Sequence, residues 1–559
     1  MNEQTQNNQL PESPEELVKR INGYFEVSKR AKERRHKQWL NYYRHWRGLE
    51  RVQTKGGRSR ELINIIFATV EQKVALLSDS RPGFVFYPQD GEQDPHTADA
   101  VQSIVSDYIR DVTEMEAQEE LIKMDAAIYG SGFAMYYWNG KEGETGFERM
   151  DPFKVFPAPG AKDVDDGKYF IIADAVPLYE IRRRWPGADV KADNQLLESI
   201  AYNRAEGTDA KSTVGSGVSN TVKDVSDMAL VLYTWTYDDN VDQYPDGRLT
   251  ITAGKTLLWD GPNPLPIKDR PFVKFDYTPD EGFWGIGEVE FLIDPSKMIN
   301  KRKNQIQDNT DMLANGRMGV DVNKIPEWKK IKSKAREVIP VQGDPKSAIW
   351  VDYGRPMPQQ VVADMQDSLF WVNLLSGLQD VGRGVIPKGD PSGVAIQTVM
   401  ESVNIRVRKT ARAWERFLKR SAQMAVDMLQ LYEPTKLFAI LGDGEEVKYI
   451  QADDLQLDTK YNIRVRAGST LPSTNRYAKL EMAIRLVQAG IIPPDIALDL
   501  VDIPEVKLSI KKREQEAAAQ AQAEAQAAAA NQQQSEDQLA QNLAGIEQQF
   551  NQGEITYEQ

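Results

Sequence analysis

The sequence predicts a mixed α+β protein built from more than one packed unit, and three observations carry that expectation. At 559 residues the chain exceeds the size at which a single core keeps growing. Long stretches with apolar residues at helical spacing alternate with short apolar runs cut by Pro and Gly turns. Hydrophobic residues make up 41% and charged residues 27%, the proportions of an ordinary folded protein. No apolar run reaches the ~18 residues that a membrane helix needs. The opening MNEQTQNNQLPESPEE lacks the basic-then-apolar pattern of a secretory signal. With zero Cys, the chain is expected to be soluble, to fold in a reducing cytoplasm, and to use no disulfide or thiolate metal site.

The first helix is announced by a Ser13 cap, Pro14 at the first helical position and Glu16 at the third. It is expected to run to about Arg47, with Trp39, Tyr42, Tyr43 and Trp46 on one stripe and a basic middle, SKRAKERRHK, read as a solvated outer face. A second helix spans Glu61 to Asp79 and is ended by Ser80-Arg81-Pro82-Gly83, after which FVFYP reads as a strand. A third covers roughly Pro95 to Tyr129 and stops at Gly130-Ser131-Gly132, ahead of the strand FAMYYW. From Asp151 to about Val289 short strands dominate, with one helix at VPLYEIRRRW. The stretch Arg204 to Asp227, rich in Ser, Thr, Gly and Asp, reads as a long surface loop.

The second half changes character. Asp294-Pro295 reads as a helix start, with the helix closed by Asn315-Gly316. A compact α/β insertion follows, from about Arg317 to Pro358, holding Trp328 and the basic run Lys329, Lys330, Lys332, Lys334 and Arg336. A helix over Gln359 to Ser376 carries Val362, Met365, Leu369, Val372 and Leu375 at helical spacing, so the insertion sits at the tip of a helical hairpin. Gly377 to Gly393 holds five glycines and two prolines and cannot continue a helix. Either it is a flexible linker, or it is a loop that reaches a ligand through Arg383 and Lys388. Asp390-Pro391 then opens a helix with no Gly or Pro from Val394 to Glu433. Along it Arg408, Arg412, Arg416 and Arg420 fall at strict four-residue spacing, a row that either faces phosphate or pairs with acidic residues of the same or a neighbouring subunit. Strand-like sequence over Lys436 to Ala467 precedes two further helices. The tail from about Arg513 is rich in Ala, Gln and Glu, with Leu539, Leu543, Ile546 and Phe550 as a stripe that either self-associates or frays.

Catalytic chemistry is hard to place on these residues. The three histidines, His36, His45 and His96, lack metal-ligand spacing. Gly254-Lys255-Thr256 ends like a phosphate loop, but Leu249 stands where its first glycine belongs, so a β-turn is expected. Gly282, Gly285 and Gly287 fail the dinucleotide fingerprint because Glu290 occupies its third glycine position. Asp163-Val164-Asp165-Asp166 is read as a solvated turn, not a cation site. No nucleophile–base pair, metal or cofactor is nominated, and the chain is expected not to be an enzyme. Lys and Arg number 69 against 83 Asp and Glu, a net charge of −14, which is unlike a protein that holds DNA by broad phosphate neutralisation.

The order of the pieces resembles the portal (head-to-tail connector) proteins of tailed bacteriophages, of the short-tailed type, from about Trp39 to Ile510. YYRHWRG with ELINIIFATVEQKV is similar to the family's first helices. AAIYGSGFAMYYW and MDPFKVFPAPGAKDVDDGKYF are similar to its wing. GIGEVEFLIDPSKMINKRKNQIQDN resembles the approach to its first stem helix, and LVQAGIIPPDIALDLVDIP its crown. The resemblance implies a portal fold: wing 1–288 with strands from 433–473, stem helices 289–316 and 359–377, clip 317–358, and tunnel loop 378–392. A long wing helix over 393–432, a crown over 474–512 and a C-terminal tail over 513–559 complete it. It implies a ring of twelve subunits, about 760 kDa from chains of 63.2 kDa, around a channel for double-stranded DNA read without regard to sequence. Gln379, Arg383, Lys388 and Asp390 would line the channel; Trp328, Lys329, Lys330, Lys332, Lys334 and Arg336 of the clip would meet the terminase large subunit and the tail adaptor. Major capsid and scaffolding proteins are the other implied partners, and the virion's portal vertex the implied location, after assembly in the host cytoplasm. The competing expectations are another phage head or tail-adaptor ring without a DNA-gripping loop, and a nucleotide-dependent DNA enzyme.

Overall fold

The structure, a computed structural model, describes residues 13–49, 61–78, 84–88, 115–141, 143–192, 200, 227–237, 244–265, 270–314, 317–325, 328–330, 341–352, 354–377, 393–432, 437–441, 447–451, 461–465, 487 and 544. The chain divides into two units, Met1–Leu471 and Pro472–Gln559, and every element below lies in the first. The expected helical residues 95–114, the loop 204–226, the helices after Thr474 and the Ala/Gln tail lie outside the described residues, apart from single positions.

In chain order the first elements are α1 (Pro14–Trp46), α2 (Ile65–Ser78), β1 (Phe84–Pro88), α3 (Met115–Tyr129), β2 (Ser131–Asn139) and β3 (Glu144–Met150). Then come β4 (Val155–Pro157), β5 (Tyr169–Pro177), α4 (Leu178–Arg184), β6 (Met228–Thr236), β7 (Arg248–Ala253), β8 (Thr256–Pro262) and β9 (Phe272–Asp276). The second half holds α5 (Val289–Ala314), β10 (Arg317–Val320), β11 (Ile349–Asp352), α6 (Gln359–Ser376) and α7 (Gly393–Tyr432). Strands β12 (Leu437–Leu441), β13 (Val447–Gln451) and β14 (Tyr461–Val465) follow. The mixed α+β class is what the alternating patterns led one to expect.

Strands β4 to β8 form an antiparallel sheet in sequence order, and β2 lies between β3 and β9 in a second antiparallel sheet. Strand β5 shows how the larger sheet is covered on both faces. Phe170, Ile172 and Val176 point to one cluster with Phe133 and Phe272 of the smaller sheet, while Tyr169, Ile171 and Ala173 point to another. That second face is covered by Leu17, Ile21 and Phe25 of α1. The rest of α1 continues into the largest cluster, where Trp39 and Tyr42 meet α2, α3, the start of α5 and the C-terminal half of α7.

Helix α1 starts as its sequence predicts: Glu16 N–H donates to Ser13 Oγ (3.3 Å) and Ser13 N–H to the Glu16 carboxylate (3.2 Å). Its basic middle is not wholly a solvated face. Lys32 is buried, and its ammonium donates to the carbonyls of Pro152, Phe153 and Val155 at 2.7–2.9 Å while lying 4.1 Å from the Phe156 ring centroid. Pro152 and Phe153 stand in the 3₁₀ turn Pro152–Lys154 and Val155 caps it; Pro152 O also accepts from Val155 N–H, so the cation adds to the turn's own bonding.

Two helix starts differ from the local sequence signals: α2, expected from Glu61, begins at Ile65, and α5 begins ahead of the Asp294-Pro295 signal, at the bound the resemblance implied. Helix α5 begins at Val289, with Pro295 inside it and not at its first position. The turn before the proline is worth forming because it buries Val289, Leu292 and Ile293 in the main core. Helix α7 spans Gly393–Tyr432, and its 40 residues give a rod of about 60 Å. Strand β14 returns to pair antiparallel with β1, Phe84 opposite Val465, so the strands after α7 join the N-terminal half of the chain.

Candidate functional site

Among the described residues the glycine motifs serve packing. Gly285 and Gly287 let the approach to α5 lie against the end of α3: a Cβ on Gly130 would collide with the Gly285 carbonyl, and one on Gly287 would sit 2.8 Å from the Ala127 carbonyl oxygen. Gly254, at φ +58, makes the tight turn between β7 and β8. The Asp163–Asp166 cluster is a turn gripped by the protein's own cations. Arg270 is buried and donates through Nη1 to Val164 O (2.5 Å) and through Nη2 to Gly167 O (2.7 Å), while its backbone N–H donates to Asp165 (3.0 Å). Burial pushes the Arg270 guanidinium below its ordinary value against the raising influence of Tyr237 and Asp165. Lys274 lies 4.0 Å from Asp163 and 3.1 Å from Asp276, and Arg420 pairs with Asp165.

That last pair divides the arginine row of α7. The helix buries Trp414, Phe417, Leu418 and Ser421 against β2 and β9, with Ser421 Oγ 2.7 Å from Tyr136 Oη and Trp414 stacked on Phe417. Arg420 is fixed to Asp165 and to the Phe272 carbonyl (3.1 Å). Arg412 and Arg416 are exposed on the opposite face. The side chain of Arg408 lies outside the described residues.

The glycine-rich segment holding Gln379, Arg383, Lys388 and Asp390 also lies outside them. Its anchors are described. Gly377 closes α6 in the left-handed conformation, φ +71, with its N–H donating to Asn373 O at 2.9 Å, and α7 begins at Gly393.

The segment between α5 and α6 is built on an antiparallel ribbon of β10 and β11, Arg317 opposite Asp352 and Gly319 opposite Trp350. Lys324 Nζ donates to Ser347 Oγ (2.8 Å), and Asp321 N–H to Ala348 O (3.0 Å), closing the ends of the connection. Trp328, Lys329 and Lys330 form a 3₁₀ turn in which Trp328 is exposed and the Lys329 ammonium lies 5.6 Å from its ring centroid. Lys332, Lys334 and Arg336 lie outside the described residues. Sequence reasoning passed over Trp350, which is 67% exposed, and Val322, which is 58% exposed. The sequence alone carried no signal for them: that Trp350 faces Gly319 across a two-stranded ribbon, with no second sheet layer to enter, follows from the strand register. Residues 317–358 carry nine Lys and Arg against five Asp and Glu, a basic segment in a chain of net charge −14.

A helical hairpin with a basic, tryptophan-bearing tip, then a glycine-rich link into a very long helix, is thus set against a two-sheet body. A family model described as phage P22-like portal protein matches residues 26–556. The chain belongs to the phage P22-like portal protein family. That membership makes it a head-to-tail connector protein of a bacteriophage, and its family is structural, not enzymatic. A comparison with curated proteins found no match.

Proposed function

We propose that the chain forms a dodecameric ring at one capsid vertex, serving as the DNA channel for packaging and ejection and as the docking platform for the terminase large subunit and the tail adaptor. The observation that carries this reading is the family match, which runs through 26–556 and so spans α5, α6, the insertion between them and the glycine-rich link together. The work is mechanical: the ring passes duplex DNA without reading it, holds it afterward, and leaves ATP hydrolysis to the motor. Contact with DNA falls to the tunnel loop, where Arg383 and Lys388, flanked by Gln379 and Asp390, meet phosphates weakly and in turn; fixed strong contacts would stall translocation. The acidic balance of the rest of the chain keeps a sliding polyanion from adhering. The basic clip, with Trp328 and Trp350 exposed, suits a protein partner that brings acidic and apolar side chains together. Major capsid and scaffolding proteins complete the partners, with assembly in the host cytoplasm and residence in the virion.

The test is the double variant Arg383→Ala with Lys388→Ala. Ring assembly is expected to be unchanged while packaged DNA per particle falls. Wild-type packaging and retention by that variant would remove the DNA role from this loop, and measurable nuclease or ATPase turnover by the purified chain would contradict the non-enzymatic reading.

A further inference from the structure

Helix α5 is flanked by chain on two nearly opposite sides. On one side Arg302 pairs with Asp364 of α6, and the Asn309 amide donates to Arg355 O (3.1 Å). On the other, two asparagines hold segment 61–63 by reciprocal bonds. Asn300 accepts from Ile63 N–H (2.7 Å) and donates to its carbonyl (3.1 Å), and Asn304 does the same with Glu61 at 2.9 and 3.0 Å. At 3.6 residues per turn, Arg302 lies about 160° around the helix from Asn300, and Asn309 about 140° from Asn304.

Each flank leaves large apolar side chains in solvent. Helix α6 turns Ser368, Val372 and Ser376 inward, and leaves Phe370 60%, Trp371 52% and Leu374 47% exposed. The other flank leaves Leu62, Ile63 and Phe67 about two-fifths exposed, with Phe67 beside Trp46 (5.9 Å between ring centroids). Clusters of this kind on a folded chain mark interaction surfaces. DNA is a poor occupant, because Phe, Trp and Leu offer a phosphate nothing.

We propose that the Phe370–Trp371–Leu374 face of one subunit packs on the Leu62–Ile63–Phe67 face of a second copy of this chain, as one heterologous contact repeated around the ring. The occupant follows from the arrangement. Every chain carries both faces, and they lie on opposite flanks of one helix, so each copy offers one face forward and one back. A symmetric pairing of α6 with α6 would cover one face and leave the other in water. This inference rests on the ring reading above and adds which surfaces meet.

The experiment uses the full chain with Leu374→Glu or Phe67→Glu, both exposed positions, with thermal unfolding as the check on fold. Trp371→Lys and Ile63→Lys are the second pair should either glutamate variant fail to fold. Each variant alone is expected to lose the ring and sediment as a monomer. Mixed one to one at high concentration, they are expected to form dimers and nothing larger, since one intact contact remains and both outer faces are blocked. Rings of wild-type size from either variant alone would overturn the proposal, as would a mixture that stays monomeric. Either result would leave the ring reading standing provided the wild type forms rings; a monomeric wild type would contradict both.

Discussion

Lys32 and Arg270 hold irregular backbone by the same device, a buried cation whose donors meet several carbonyls at once. Neither was legible as such, because a lysine inside SKRAKERRHK looks like its solvated neighbours until the fold places three carbonyls beneath it. Lys32→Met keeps the length of the side chain and removes the donors, so it should cost about 3 kcal/mol and lower the unfolding temperature by several degrees. Unchanged thermal unfolding would show that the carbonyls find other partners. The tyrosines make a second prediction at this scale. Burial, then the nearby Glu288 carboxylate, pushes Tyr277 well above the ordinary phenol value, and burial drives Tyr233 up to about 12. In the unfolded chain both titrate near about 10, so between these values the unfolded state has lost protons that the folded state keeps. Stability contributed by the neutral phenols is therefore complete below pH about 10 and falls as pH rises through that window. Phenolate absorbance from these residues should appear together with loss of secondary structure; titration near 10 in a fully folded chain would contradict it.

At the scale of elements, local signals located some boundaries, and packing set others. The Ser13 cap with Pro14 and Glu16 located the start of α1, and the helical spacing from Gln359 to Ser376 matched α6 end to end. Helix α5 instead starts before its proline because the core rewards burying Val289 and Leu292, a tertiary gain that no cap rule contains. The apolar row of α6 was legible as a helix face but not as an exposed one: Val372 is buried while Leu369 and Leu375 are substantially in solvent. The insertion between α5 and α6 shows the same limit, since its basic run drew notice to Trp328 while the more exposed Trp350 became visible only with the Gly319 register. Trp350→Ala should leave thermal stability within about 0.5 kcal/mol, as for other exposed positions. Its affinity for the terminase large subunit or the tail adaptor should fall by about 30-fold, a tryptophan hot spot in a titration. Unchanged affinity for both partners would take Trp350 out of the docking surface.

At the scale of the whole molecule, composition bounded the class without identifying it, and the order of elements did the identifying. A net charge of −14 is compatible with a repelling channel wall or with plain solubility, whereas helices, insertion, glycine-rich link and long helix in that order fit a portal subunit. The proposed ring came from the resemblance and not from any one residue, because the proposed contact draws on two faces that no single element holds. In the proposed function the subunit works as a closed ring, so assembly is the property on which the proposed channel, platform and interface all depend. The most direct measurement is the native mass and negative-stain image of the purified full-length chain at micromolar concentration. The account predicts closed rings with a central hole and a mass near twelve chains of 63.2 kDa; a strictly monomeric particle under those conditions would contradict it.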